Sequence, residues 1–295
     1  MTSLADTLIR TWAKQGREGF LLADNSEHLE TKLADDPQCG AQFRFRWLPH
    51  REVRSDVAEL ERRGILNPNR DETGLFRDPR DPRGQFCFLC EGNIRECNPL
   101  ERLVPVTLAG REYLAGANFA WIEPNHFTIM SREHTDQLYC HNVLRAMLEL
   151  HNRADGQFRV LFNGGGVGAT IPWHLHYQTT TVEFPVESLA NPAGYPTAVH
   201  QFALSDEQAA DSAAREWIAH DPGNHGVNML VAPAGIFVFP RDRRKSKATN
   251  KSLVGGFEVA GDFAMSAPVD RPAFEAATAE VARDILSQVR PCGPG

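Results

Sequence analysis

What this sequence has little of narrows it first. No run approaches the roughly 20 consecutive apolar residues of a bilayer span, and the opening MTSLADTLIRTWAKQG lacks the form of a signal peptide. A cytoplasmic protein with no membrane partner is therefore expected. Basic charge is also short, with 31 Lys and Arg against 38 Asp and Glu and a net charge of -7. A general nucleic-acid binder would carry a strongly basic face, so no nucleic-acid partner is expected. Only six cysteines occur in 295 residues, which suits intracellular thiols or metal ligands better than a disulfide framework. A second C-x-x-C is absent, histidine stops at position 225, and no tandem repeat or low-complexity tract is visible.

What is present reads as short mixed elements around a real core, since 42% of the residues are apolar. Leu4, Leu8, Ile9 and Trp12 fall at helical spacing. Phe43, Phe45 and Trp47 alternate with Gln42, Arg44 and Arg46, the period of a half-buried strand. Residues 66–85, rich in proline and charge, read as a loop. Strands are expected over 126–130, 158–162 and 174–181, and a helix over 135–153. Ser205 and Asp206 open a helix through His220. Residues 227–231 and 236–239 form a hairpin around Pro233-Ala234-Gly235, and 269–289 close the chain as a helix. Hairpin-length connections, without regular strand–helix alternation, predict an α+β fold with a mainly antiparallel sheet and flanking helices.

The stretch richest in chemistry runs from Phe162 to Gln178, FNGGGVGATIPWHLHYQ. On a strand, residues two apart face the same way, so His174, His176 and Gln178 share one face. Gly164, Gly165, Gly166 and Gly168, just upstream, let backbone approach a ligand closely and can form an anion-binding concavity. An imidazole beside a phosphate site is a nucleophile toward phosphorus, and a neighbouring amide can donate to the oxygens that gain charge. Separately, Cys87-Phe88-Leu89-Cys90 offers two thiols at zinc-binding spacing. Further ligands would have to be histidines, with His126, His134 and His174 as candidates.

Cys87-Phe88-Leu89-Cys90-Glu91-Gly92-Asn93, then Ser131-Arg132-Glu133-His134, then Gly168-Ala169-Thr170 ahead of His174-Leu175-His176-Tyr177-Gln178, occur in a familiar order. In these motifs the chain resembles the transferase branch of the histidine-triad superfamily, which includes galactose-1-phosphate uridylyltransferase, diadenosine tetraphosphate phosphorylase and the GDP-hexose phosphorylases. H-x-H-x-Q marks that branch, whereas the hydrolases keep a third histidine at the last position. Phe184-Pro185-Val186-Glu187 is similar to the GDP-hexose phosphorylases.

The resemblance implies a histidine-triad-like fold of two pseudo-repeated halves within one catalytic unit over 1–295. About 40–195 would carry the zinc site and the nucleophile, and about 196–295 would be a degenerate second half. It implies His176 as the nucleophile and Gln178 as the residue that steadies the intermediate. One structural zinc would be held by Cys87, Cys90, His134 and His174, with His134 favoured over His126. Asn118 and Phe119 would contact the nucleoside, and Asn163 and Thr170 the phosphates. Arg241, in the strand-Pro-Arg pattern of the phosphorylases, would meet a phosphate. One extra residue among Ile171-Pro172-Trp173 departs from the uridylyltransferase spacing, and the missing late histidines predict no second metal.

The activity so implied is a ping-pong nucleotidyltransferase passing through a nucleotidyl-histidine. It would be a phosphorylase of a nucleotide sugar or dinucleoside polyphosphate, with phosphate as acceptor; a sugar phosphate acceptor would make it a uridylyltransferase-like enzyme. A nucleotide hydrolase and a non-catalytic nucleotide-binding module are the competing readings, and a homodimer is allowed for.

Overall fold

The computed structural model describes residues 3–22, 29–51, 87–245 and 247–291. The loop read over 66–85 lies outside the described residues. Period-two alternation gives strand where it was expected. Phe43 and Phe45 are fully buried on one side of β2 (Gln42–Trp47), while Arg44 and Arg46 on the other side pair with Glu123 and Asp262. β2 lies antiparallel to β1 (Glu30–Asp35) and parallel to β11 (Asp262–Met265) in a three-stranded sheet.

The main sheet has eight strands: β3 (Leu103–Leu108), β4 (Arg111–Ala117), β5 (Phe127–Ser131), β6 (Arg159–Asn163), β7 (His176–Thr180), β8 (His200–Phe202), β9 (His225–Ala232) and β10 (Gly235–Asp242). Their spatial order is β3-β4-β5-β7-β6-β9-β10-β8, every pairing antiparallel. The sheet is continuous from the earlier to the later part of the chain through β6 and β9, with Val160 opposite Val231.

Alternation along these strands sends residues to two different cores. Tyr113, Phe127, Val160, Phe162, Tyr177 and Met229 meet three helices, α1 (Leu4–Arg17), α3 (His141–Arg153) and α4 (Glu207–His220). The α1 helix starts where Ser3 caps it, accepting from the Asp6 amide at 3.1 Å. On the opposite face Leu161, Leu230, Phe237 and Phe239 meet Phe43, Phe45 and Phe263 of the small sheet, together with α5 (Gly256–Val259) and α7 (Ala279–Gln288). That second layer covers only β6, β9 and β10. Over β4, β5 and β7 the face carries a small cluster, Ile94 of α2 (Glu91–Cys97) with Leu114 and Met130, and a cavity opens between the two coverings.

Three elements differ from the sequence reading. The helix expected from 135 begins at His141, because residues 135–140 run extended and exchange backbone bonds with the segment ahead of β7. The strand expected from 174 starts at His176. The closing helix is two, α6 (Arg271–Ala276) and α7, broken where Ala277 adopts φ 29° and Thr278 caps α7 through the Val281 amide. Among the described residues no helix is long and apolar enough to cross a membrane.

Candidate active site

The open face reads across the strands as a row. Met130 on β5 lies opposite His176 on β7, and Thr128 opposite Gln178. Beyond β7, Leu161 pairs with Gln178, after which the β6–β7 ladder stops. The gap is filled by the side chain of Gln137, which is fully buried. Its Nε2 donates to the carbonyls of Asn163 and His176, each at 2.8 Å, and its Oε1 accepts from the His176 amide at 2.7 Å. One carboxamide thus replaces the missing rung and fixes the backbone of His176. Nothing in the sequence marked Gln137, since a glutamine in a polar stretch carries no signal of burial.

His176 is buried, and its Nδ1 lies 2.8 Å from the carbonyl oxygen of His174. A carbonyl only accepts, so Nδ1 carries the proton and Nε2 keeps its lone pair. Desolvation holds the ring's pKa down to about 4, with the His174 carbonyl pulling the other way. His176 and Gln178 both line a cavity of about 410 Å³, together with Asn118, Phe119, Asn163, Gly168 and Thr170. Gly168 sits at φ +105°, and a Cβ there would collide with the backbone of Val254 and Gly255, so glycine is required where this loop presses on the segment leading to α5.

Behind this wall, Cys87, Cys90, His134 and His174 bring one ligand atom each to within 4.8 Å of one another. The sulfur of Cys87 is 3.2 Å from His174 Nδ1, and that of Cys90 is 3.1 Å from His134 Nδ1. His174 Nε2 donates to the carbonyl of Ser131 at 2.7 Å, which leaves Nδ1 as the unprotonated, ligating nitrogen. Hydrogen bonding with Cys87 and with the two imidazoles holds the Cys90 thiol down, while the same contact and burial push Cys87 up. Two thiol sulfurs and two imidazoles fit a closed tetrahedral metal site. His126 stands outside it, accepting from the Ile122 amide at 3.0 Å and lining the cavity instead.

Other expected residues fall elsewhere. Gly164, Gly165 and Gly166 do not line the cavity. The amides of Gly164 and Gly165 already donate to Val227 and Gln137, which removes them from any anion-binding concavity. Arg241 is fully buried beneath the loop and not in the cavity; its guanidinium donates to Asn228 Oδ1 and to the Val254 carbonyl. Asn228 in turn donates to Asn163 Oδ1 and the Val167 carbonyl, at 2.7 and 2.8 Å. Arg241 therefore supports the 163–168 loop from below. Arg243 and Arg244 turn to the 222–223 carbonyls and to Asp242. Glu101, Lys251 and Glu258 line the cavity without any sequence signal.

Superposed on known structures, the whole chain aligns with yeast Ap4A phosphorylase Apa2. Against its complex with Ap4A the TM-score is 0.63 at 15% identity, covering 98% of each chain; against its complex with AMP it is 0.61 at 16%, covering 100% of each. The chain has the fold of that phosphorylase. It is also the fold that the histidine-triad transferase resemblance implies. By sequence, residues 41–181 match a family described as a domain of unknown function, DUF4922. A search of curated proteins by sequence finds no match.

Proposed function

We propose that this chain is a nucleotidyltransferase that works by a ping-pong mechanism through a covalent nucleotidyl-His176, splitting a dinucleoside polyphosphate or a nucleotide sugar with inorganic phosphate. The observation that carries this is the Nδ1 contact of His176 with the His174 carbonyl, which makes Nε2 the nucleophilic nitrogen beside a cavity of nucleotide size. In the first half-reaction Nε2 attacks the α-phosphorus, a P–N bond forms, and the P–O bond to the remaining phosphorylated fragment breaks. In the second, a phosphate oxygen attacks the same phosphorus, the P–N bond breaks, and a nucleoside diphosphate leaves. A ring with its pKa near 4 stays unprotonated at pH 7 and is ready to attack.

Gln178 donates to the phosphoryl oxygens as charge builds on them. Asn163, with its oxygen held by Asn228 and the Gly256 amide, offers its Nδ2, and Gly168 and Thr170 complete the phosphate end. Asn118 and Phe119 face the nucleoside. Cys87, Cys90, His134 and His174 would hold zinc, which supplies a structural crosslink, because four protein ligands leave no position open. The fold shared with a phosphorylase crystallised with Ap4A favours a polyphosphate donor over a sugar nucleotide. The degenerate second half, from about 196, supplies β8, β9 and β10 and the buried Arg241 support.

The test is intact-protein mass spectrometry after incubation with dinucleoside polyphosphates and nucleotide sugars in the absence of phosphate. A nucleoside monophosphate adduct is expected on the wild type and on no His176→Gly protein, and added phosphate should discharge it. Turnover by the His176→Gly variant at the wild-type rate would remove the covalent mechanism. Discharge by water as fast as by phosphate would make the enzyme a hydrolase.

A further inference from the structure

The cavity is lined by a carboxyl group that the reaction does not use. Glu101, in the turn before β3, lines the cavity and lies over Gly116, where a Cβ would overlap its Oε1. Glycine at 116 is what lets the carboxyl settle onto the sheet. Among the described residues no cation pairs with it; its one side-chain partner is Asn98, whose Nδ2 donates to Oε2 at 3.3 Å. Burial raises its pKa to about 8, opposed only by that hydrogen bond. The carboxyl is half-buried and has acceptor capacity left for a donor that enters the cavity.

Position says which part of a nucleotide reaches it. Gly116 pairs with Thr128, and Thr128 with Gln178, so Glu101 stands two strands from the nucleophile's strand. Two interstrand steps, together with the two residues of strand that separate Gln178 from His176, come to about 12 Å, the reach from His176 across a nucleoside monophosphate to the far edge of its base. The apolar side chains of Phe88, Leu89 and Ile94 line the same cavity, Leu89 and Ile94 packing against Leu114 of β4 and Met130 of β5, as a base face requires.

We infer that Glu101 reads the base, selecting guanine by accepting hydrogen bonds from its N1–H and its 2-amino group. This rests on the reading of the cavity as a nucleotide site and names the donor's base. An ionised carboxylate is acceptor-only with two oxygens, and guanine is the base with two adjacent donors on its pairing edge. Adenine and cytosine present one donor beside a ring-nitrogen acceptor, and uracil one donor between two carbonyls. A protonated carboxyl would suit adenine. Ionising Glu101 at pH 7 costs about tenfold against a pKa of about 8. Exchanging two neutral hydrogen bonds for two charge-assisted ones favours the guanine complex by on the order of 100-fold. The ionised, guanine-bound form therefore wins.

Calorimetric titration of the full chain with GMP, IMP, AMP and UMP tests this without requiring turnover. GMP is expected to bind at least about tenfold more tightly than AMP or UMP, with IMP, which lacks the 2-amino donor, weaker than GMP. In Glu101→Gln, whose amide offers one donor and one acceptor, GMP should lose that advantage and AMP gain. Equal affinities in the wild type, or tighter AMP, would overturn the inference, and the GMP–IMP comparison stands even if the variant folds poorly. Selective GMP binding with no nucleotidyl adduct would keep Glu101's role and remove the covalent mechanism. Adducts formed equally from adenine and guanine donors would do the reverse, and a protein that binds none of the four would remove both.

Discussion

At the level of single residues, the site rests on which nitrogen of each histidine is spoken for. His174 and His176 are two apart, yet they turn opposite nitrogens to work. His174 commits Nε2 to Ser131 and offers Nδ1 to the thiols, whereas His176 commits Nδ1 to His174's own carbonyl and keeps Nε2 for the cavity. Gln178, on the same face, is expected to matter only as charge develops. Gln178→Ala should lower the rate of adduct formation about 100- to 1,000-fold while leaving nucleotide affinity nearly unchanged, as single-turnover kinetics beside equilibrium binding will read. Loss confined to binding would assign Gln178 to the ground state. Glu101 gives a residue-level prediction of a different kind. Its pKa is raised from 4.5 to about 8 in the folded protein, so the folded state holds a proton that the unfolded state releases. The stability this contributes is complete below pH 4.5 and is lost as pH rises through about 8. Melting temperature should thus decline more steeply from pH 5 to pH 9 in the wild type than in Glu101→Gln; parallel declines would show that the carboxyl is ionised when folded.

At the level of elements, the strand that carries His176 depends on a side chain from a stretch the sequence presents as helix. Thr135 to Cys140 carries helical periodicity, but tertiary hydrogen bonds override it: Gln137 donates its amide to the Pro172 carbonyl, accepts from the Gly165 amide, and bridges Asn163 to His176. Gln137→Ala would leave one buried amide and two buried carbonyls without that partner, destabilising the fold by about 3 kcal/mol or more. It should also slow adduct formation about 100-fold by letting His176 drift, with GMP affinity largely kept because the base end is two strands away. Thermal melts and single-turnover rates on the same protein separate the two effects; a variant that melts lower but reacts normally would make Gln137 structural only. The case shows what was legible. Alternation and the H-x-H-x-Q spacing announced β2, β7 and the face shared by His176 and Gln178, because those patterns are local, whereas His174 falls ahead of the strand and turns to the cysteines. Burial of Arg241 and Gln137, and the placing of Glu101 in the cavity, depend on what other elements bring to them, and no local pattern encodes that. Nor does periodicity reveal the break at Ala277, where a positive φ interrupts an otherwise helical run.

At the level of the whole molecule, the cluster of Cys87, Cys90, His134 and His174 ties the segment ahead of α2 to the ends of β5 and β7. Cys87 and Cys90 precede α2, His134 follows β5, and His174 precedes β7. Among its described side chains the helix α2 contributes Ile94 alone to a small cluster with Leu114 and Met130, about 1.5–3 kcal/mol of burial for such a side chain, too little to fix it alone. The large cores, by contrast, involve none of the four ligands. Removing the metal with a chelator, or substituting Cys90→Ser, is therefore expected to leave far-UV dichroism close to that of the intact protein while lowering the melting temperature. Nucleotide affinity should fall with it, since Phe88, Leu89 and Ile94 form the wall of the cavity that this segment carries. Elemental analysis of the wild type should find about one zinc per chain, and Cys87→Ser and Cys90→Ser each markedly less, because a site of four ligands that loses one thiolate keeps a neutral oxygen in its place. Full zinc content in both serine variants would mean that the metal sits elsewhere. Unchanged nucleotide affinity in zinc-free protein would mean that the α2 wall is held by its own contacts, and that the cluster steadies only the backbone from which His174 presents its carbonyl to His176.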